Sequence, residues 1–328
     1  MNEYLYKYTK FREDFLSDPY IRATQIEGLN DPFEANVTLE QIIKARKQHN
    51  EFYDVSEEFQ GEDFDYMMEE FLSLSQQDLS EIGVISLTED PINPLMWAHY
   101  ADEHKGVVLQ VKNEHSFLCG ANEYIGGKRV RYNKDIFGFA SELPKPVAYR
   151  RNRPQFDFIE EVAPEHRQAY PHKKFNEKLI YTKANDWLYE KESRSVVYLK
   201  DADRIVCSYD EHTFKFCDNH EFLTVKNLSD NRIQIDFPIN FGNILDFANV
   251  DDALYDEYED RNDLYLWTRG LDAQYFFKLN PSSISAFIFG CKSSFGDIEI
   301  TKQKLSWDAD LYKAKISKDK FELDLEKI

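Results

Sequence analysis

Glu190, Glu192 and Arg194 stand at alternate positions in the run WLYEKESR, residues 187–194. On a strand such residues share a face, roughly 7 Å between successive members, while Trp187, Tyr189 and Lys191 point the other way. Two carboxylates and a guanidinium would then look into one space. A like-charged neighbour raises a carboxylate's pKa and a nearby arginine lowers it, which separates an acid from a base or leaves a fixed anion beside a developing cation. A solvated strand face with an ordinary Glu–Arg pair gives the same pattern, so ExE alone is weakly specific.

A second group lies in PLMWAHYADEHK, residues 94–105. Asn93 is placed as N-cap, Pro94 as the first helical residue and Gly106 as the stop after Lys105. Helical spacing puts Trp97, Tyr100, Ala101 and His104 on one stripe, with His99 beside Asp102 and Glu103 on another. Trp97 reads as core, and His99 or His104 as a general base or ligand contact. No HExxH pattern supports zinc hydrolysis.

The third group is GLNDPFE, residues 28–34. Asn30 and Asp31 before Pro32 favour an Asx-type turn, with Phe33 anchoring it in the core. Asp31 and Glu34 could also approach a metal or a ribose hydroxyl. P-loop, GxGxxG and GxSxG signatures are all missing.

The elements that must position these groups are legible from periodicity. Residues 3–9 and 20–24 read as strands flanking a short helix at 11–16, and residues 39–49 and 64–79 as amphipathic helices. GVISLT (83–88) and GVVLQV (106–111) flank the 94–105 helix as a strand, helix, strand unit. Further strands are expected at 187–199, 232–237 and 286–289. The prolines and arginines of 144–175 suggest loops and a broken helix, and the acidic run 251–263 suggests helix and loop.

The fold class expected is α+β: one elaborated domain over 1–328 around a central mixed or antiparallel sheet. Its expected embellishments are an acidic helical insertion over 39–80, a Pro/Arg-containing loop region over 140–185 and an acidic helix/loop insertion over 240–285. Aromatic content of 15% within 42% hydrophobic residues provides enough apolar surface for a packed core. A formal charge of −20 argues against a general nucleic-acid-binding surface. Four separated cysteines read as free thiols, and MNEYLYKYTKF has no apolar signal core, so a cytoplasmic location without membrane association is expected.

Taken in order, LYKYT, LNDPFE, VISLTEDPINPLMWAHYADEHKGVVLQV, KANDWLYEKESRSV and NPSSISAFIFGCK resemble the domain-of-unknown-function 2971 family of bacteria and phage-related islands. The family's layout is similar to that of ADP-ribosyltransferases. The resemblance implies an enzyme that uses NAD as substrate and needs no metal, serving as a toxin or antiviral effector on a protein or nucleic-acid target. It puts Glu192 or Glu190 in the catalytic position, Lys7 where such enzymes carry a His or Arg, and Thr24 on the second strand. Tyr8 or Tyr100 would stack on nicotinamide, Arg194 or an arginine of 150–153 would hold the pyrophosphate, and Asp31 would reach a ribose. Trp97, His99, His104 and Trp187 are further candidates. Two other readings are a non-enzymatic sensor of a phage or host protein, and a metal-dependent nuclease using Asp31, Glu34, Glu190 and Glu192.

Overall fold

Alternation in YLYKYT and YIRATQ produces β1 (Tyr4–Thr9) and β2 (Tyr20–Gln25), joined through a 3-10 turn at Glu13–Leu16 that buries Phe15 and Leu16. The computed structural model describes residues 2–34, 62–114, 143–155, 171–221, 223–237 and 260–328, with short pieces between them. The helix expected over 39–49 falls largely outside them, as does the run 251–259.

Next come α1 (Glu62–Ser80), β3 (Ile82–Thr88), α2 (Pro94–Tyr100) and β4 (Val107–Lys112). Two-residue pieces β5 (Tyr124–Ile125), β6 (Lys128–Arg129) and β7 (Lys145–Pro146) lead to β8 (Ala148–Arg150), α3 (Pro171–Ile180) and β9 (Thr182–Ala184). Then follow β10 (Glu192–Tyr198), β11 (Arg204–Ser208), α4 (Glu211–Asn219), β12 (Thr224–Asn227) and β13 (Arg232–Asp236). After helical residues 260–268 the chain closes with β14 (Gln274–Lys278), β15 (Ile284–Phe289), α5 (Phe295–Lys304), β16 (Asp310–Ile316) and β17 (Leu323–Lys327).

Thirteen of these strands make one mixed, mostly antiparallel sheet in the order β12-β13-β11-β14-β2-β3-β1-β4-β15-β16-β17, with β10 on β3 and β7 on β10, while β5 with β6 and β8 with β9 form separate two-stranded sheets. The α+β class is therefore observed. The strand, helix, strand unit is present too, with β1 inserted between β3 and β4.

One irregularity positions the site. Strand β10 pairs β3 along its whole length, Ile82 to Thr88. On the opposite edge β2 pairs only with Gly83 and Val84, and β1 only with Thr88. Between those contacts β1 and β2 splay apart, leaving a fork in the sheet beside Ile85, Ser86 and Leu87. By strand alternation Leu5, Ile21, Ala23, Ile85 and Leu87 face the main core, where they pack with Tyr275, Phe277 and Phe287. Arg22, Thr24, Ser86, Glu192 and Arg194 take the other face.

Three local expectations need correction. The helix from Pro94 ends at Tyr100, not Lys105, because Asp102, Glu103 and His104 adopt left-handed φ of 47°, 52° and 71°. Gly106 N–H then closes the turn on Ala101 O at 2.8 Å, and a Cβ at Gly106 would lie 2.3 Å from Thr9 O. His104 consequently leaves the helical stripe.

Residues 187–190 are not strand but the end of a 3-10 turn, Asn185–Glu190, and the strand begins at Glu192. Phe33 does not anchor its turn in the core. It is 61% exposed, with the Arg153 guanidinium over its ring at 5.3 Å.

Candidate functional site

Lys191 is the joint that brings the two glutamates together. It takes left-handed angles, φ 45° and ψ 49°, a conformation that costs a non-glycine residue roughly 1–2 kcal/mol. Its N–H donates to Leu188 O at 3.3 Å, its carbonyl accepts from Glu89 N–H at 3.2 Å, and its ammonium pairs with Asp90 at 2.9 Å. With the chain so turned, Glu190 and Glu192 both reach one ammonium, that of Lys183.

Lys183 Nζ lies 2.6 Å from Glu190 Oε2, 3.2 Å from Glu192 Oε2 and 3.2 Å from Glu34 Oε1. Arg194 grips Glu192 with Nε at 2.8 Å and Nη2 at 2.9 Å, reaches Glu34 Oε2 at 2.8 Å through Nη2, and donates Nη1 to the Ile180 carbonyl. All five side chains are buried. Isolated charges at such depth would each cost several kcal/mol, so mutual pairing is what permits them. Three carboxylates against two cations leave one negative charge in excess.

The environment separates the acids. Burial pushes Glu192 up, but the charge and hydrogen bonds of Arg194, with Lys183 behind, hold it down to about 2. Burial wins at Glu34, whose pKa is raised against the pull of Arg194 and Lys183. At Lys183 burial opposes the charge, yet Glu192, Glu34 and Glu190 together raise its pKa. Glu192 is thus a fixed anion at neutral pH.

Neighbouring hydroxyls and amides hold the acids in place. Tyr100 Oη donates to Glu190 Oε1 at 2.6 Å and accepts from Asn30 Nδ2 at 3.1 Å. Glu192 N–H donates to Tyr149 Oη at 2.7 Å, and Thr88 Oγ1 donates to the Glu190 carbonyl. Asn93, the cap of α2, donates Nδ2 to Tyr189 O at 2.8 Å and so ties the helix bearing Tyr100 to the 3-10 turn bearing Glu190.

This cluster forms one wall of a cleft of about 270 Å³ that opens at the fork. Lys7 enters from β1, Arg22 and Thr24 from β2, and Tyr100, Lys183, Glu190, Glu192 and Arg194 from the opposite side. By alternation Lys7 shares its face with Leu5. The gap in the sheet lets its ammonium reach Ser86 O at 2.9 Å, filling an acceptor that no strand pairs on that edge. Burial lowers its pKa and Glu192 raises it, with Arg22 lowering it again, for a value of about 8.

Of the expected site residues, Lys7, Tyr8, Thr24, Tyr100, Glu190, Glu192 and Arg194 line this one cleft. Tyr8 is nonetheless 5% exposed, its ring edge-on to Trp97 at 5.3 Å and its hydroxyl donating to Asp90 O at 2.8 Å. Asp31 is buried, with Oδ1 accepting from Phe33 N–H at 2.9 Å and Oδ2 without a hydrogen bond among the described residues. Trp97 is fully buried, and its indole N–H donates to Pro91 O at 3.0 Å.

His99 lies on the exposed side of α2, 6.4 Å from the Tyr189 ring. His104 meets the end of β15 instead of the cleft, its carbonyl 2.0 Å from where a Cβ on Gly290 would stand. Trp187 is half-buried beneath the Lys183 ammonium, 4.8 Å from ring centre to Nζ.

Two charged cleft residues escaped the sequence reading. Arg22 carried a signal, being the charged residue in the alternating YIRAT run. Lys183 carried none, since its link to Glu190 and Glu192 depends on the 3-10 turn between them. Lys183 also occupies the point where Glu34, Glu190 and Glu192 converge. A metal bound by those acids would have to displace it, and among the described residues no group of His, Cys, Asp or Glu is placed to hold one.

Fold and site together define an α+β protein whose forked sheet holds an ion-pair cluster against an open cleft. A family model described as a protein of unknown function (DUF2971) matches residues 96–195, a span that includes Tyr100, Lys183, Glu190, Glu192 and Arg194. The match supports the resemblance to that family. No curated protein and no solved structure matches the chain.

Proposed function

We propose that the cleft binds NAD and that the chain transfers ADP-ribose from it to an acceptor. The observation that carries this reading is the convergence of Lys7, Thr24, Glu190 and Glu192, drawn from three strands and a 3-10 turn, on one cleft at the fork. When the bond between nicotinamide and ribose breaks, its electron pair neutralises the pyridinium and positive charge grows on the ribose. A preorganised anion stabilises that state more than the ground state. Glu192, held ionised and immobile by Arg194, suits that task. The acceptor then bonds to the ribose carbon and gives up its proton, for which Glu190, hydrogen-bonded to Tyr100, is the nearby carboxylate.

Ligand pockets typically run from roughly 300 to 1,000 Å³, so a cleft of about 270 Å³ takes the ribosyl and nicotinamide half of the dinucleotide and leaves the other half outside. A toxin or antiviral effector would act in this way, and label transfer would reveal its target. The test uses adenylate-labelled NAD with candidate proteins and nucleic acids. Nicotinamide release and label transfer are expected, falling about 100-fold or more in Glu190→Gln and Glu192→Gln variants confirmed as folded. Unchanged turnover in both folded variants, or a wild-type protein that neither releases nicotinamide nor binds NAD, overturns the reading.

A further inference from the structure

We propose that Arg22 and Lys7 form a phosphate-ester subsite at the fork, opposite the glutamates. The inference deepens the transferase reading by saying where a phosphate sits, and rests on that reading only for the chemistry at the other end of the cleft.

Arg22 lines the cleft and makes no hydrogen bond or ion pair among the described residues. The contrast with Arg194 decides the assignment. That guanidinium is fully buried and committed to Glu192, Glu34 and the Ile180 carbonyl, so it braces carboxylates and has little left for a ligand. Arg22 instead offers a planar fork of donors to the open space, the geometry that recognises phosphate oxygens in pairs. Burial lowers its pKa, Asp272 raises it and Arg232 lowers it, but none of these supplies a bonded acceptor.

Lys7 supplies the second cation. Its ammonium has three donors, and one goes to Ser86 O at 2.9 Å. The remaining two can meet a ligand. Its field and that of Arg22 repel each other, and an anion between them relieves the repulsion. A phosphate monoester carries two charges on three terminal oxygens and can satisfy both cations at once.

The cleft is therefore dipolar, with cations on β1 and β2 and the excess negative charge of the Glu34–Lys183–Glu190–Glu192–Arg194 cluster across from them. A ribosyl phosphate matches that polarity, with its phosphate at the fork and its hydroxyls toward the carboxylates.

The test is calorimetric titration of the full chain with AMP, ribose 5-phosphate, inorganic phosphate and adenosine. AMP and ribose 5-phosphate are expected to bind, adenosine at least tenfold more weakly than AMP. Arg22→Gln, an exposed position that leaves the fold intact, is expected to weaken AMP roughly 10- to 100-fold. Raising the pH from 7 to 9 weakens it further as Lys7 loses its proton. The groups facing Lys7 are Glu192 and Glu190 across the cleft, Arg22 on β2 and the Ser86 carbonyl on β3. A Lys7→Met variant, checked for folding by its melt, removes that pH dependence.

Adenosine binding as tightly as AMP, or AMP affinity unchanged in Arg22→Gln, overturns the subsite. AMP binding that depends on Arg22 without any nicotinamide release keeps the subsite and removes the transferase reading. Nicotinamide release by a protein whose NAD affinity ignores Arg22 does the reverse.

Discussion

Glu192 carries the sharpest energetic consequence at the scale of a single residue. Replacing it with Gln leaves the buried Arg194 without its bidentate partner, a loss worth about 3–5 kcal/mol in comparable buried pairs, read as a shift in the urea midpoint at pH 7. Because Arg194 and Lys183 outweigh burial and hold Glu192 at about 2, below its ordinary 4.5, its stabilisation is complete above pH 4.5. It is lost as pH falls from 4.5 toward 2. The gap between wild type and Glu192→Gln should shrink over that window, and a gap that stays constant would mean the charge is not what matters. Glu34 has the opposite sign: its raised value means that ionising it as pH climbs past 4.5 works against the fold. Tyr100, tied to Glu190 at 2.6 Å, links these acids to α2.

Capping decides whether α2 is held at the scale of an element. Asn93 accepts from Leu95 N–H at 2.9 Å and Met96 N–H at 3.3 Å while donating to Tyr189 O at 2.8 Å. Asn93→Ala should cost roughly 1 kcal/mol through the cap and, on the proposed transferase activity, slow nicotinamide release through the displaced Tyr100. Asn93→Ser, which can still cap, should recover the stability and not the rate. Thermal melts and rates on the same three proteins separate the two effects. The cap and first turn were readable from Asn93-Pro94, as were β1, β2, β3, β4, β13 and β15, because their apolar alternation or continuous apolar runs are local signals. The end of α2 was not, since three consecutive left-handed residues are set by the close approach of Gly106 to Thr9 and of Gly290 to His104, both tertiary facts. WLYEKESR placed its two acids at one cleft for an incomplete reason: its first half is a 3-10 turn, and only Lys191 restores what alternation would have done. Strands β11, β14, β16 and β17 and helices α4 and α5 went unread, their polar faces and short lengths giving weak periodicity. Arg22 was legible within YIRAT, whereas Lys183 and the fork required knowing which strands pair.

For the whole molecule, the net charge of −20 repels polyanions at long range while the cleft keeps two cations for a small one. No helix among the described residues is long and apolar enough to cross a membrane. The two arms of the fork draw their outer neighbours from far along the chain: Ala23 pairs with Tyr275 on one side, and β4, beside β1, pairs through Leu109 with Phe287 on the other. A chain ended at residue 270 lacks both neighbours, so it should bind no AMP and melt without cooperativity by circular dichroism; a cooperative melt with AMP affinity retained would contradict this. Pairings so distant in sequence also fold slowly. The same fork that opens the cleft therefore makes the site a late product of synthesis: it cannot be complete until residues 274–289, which flank both of its arms, have left the ribosome.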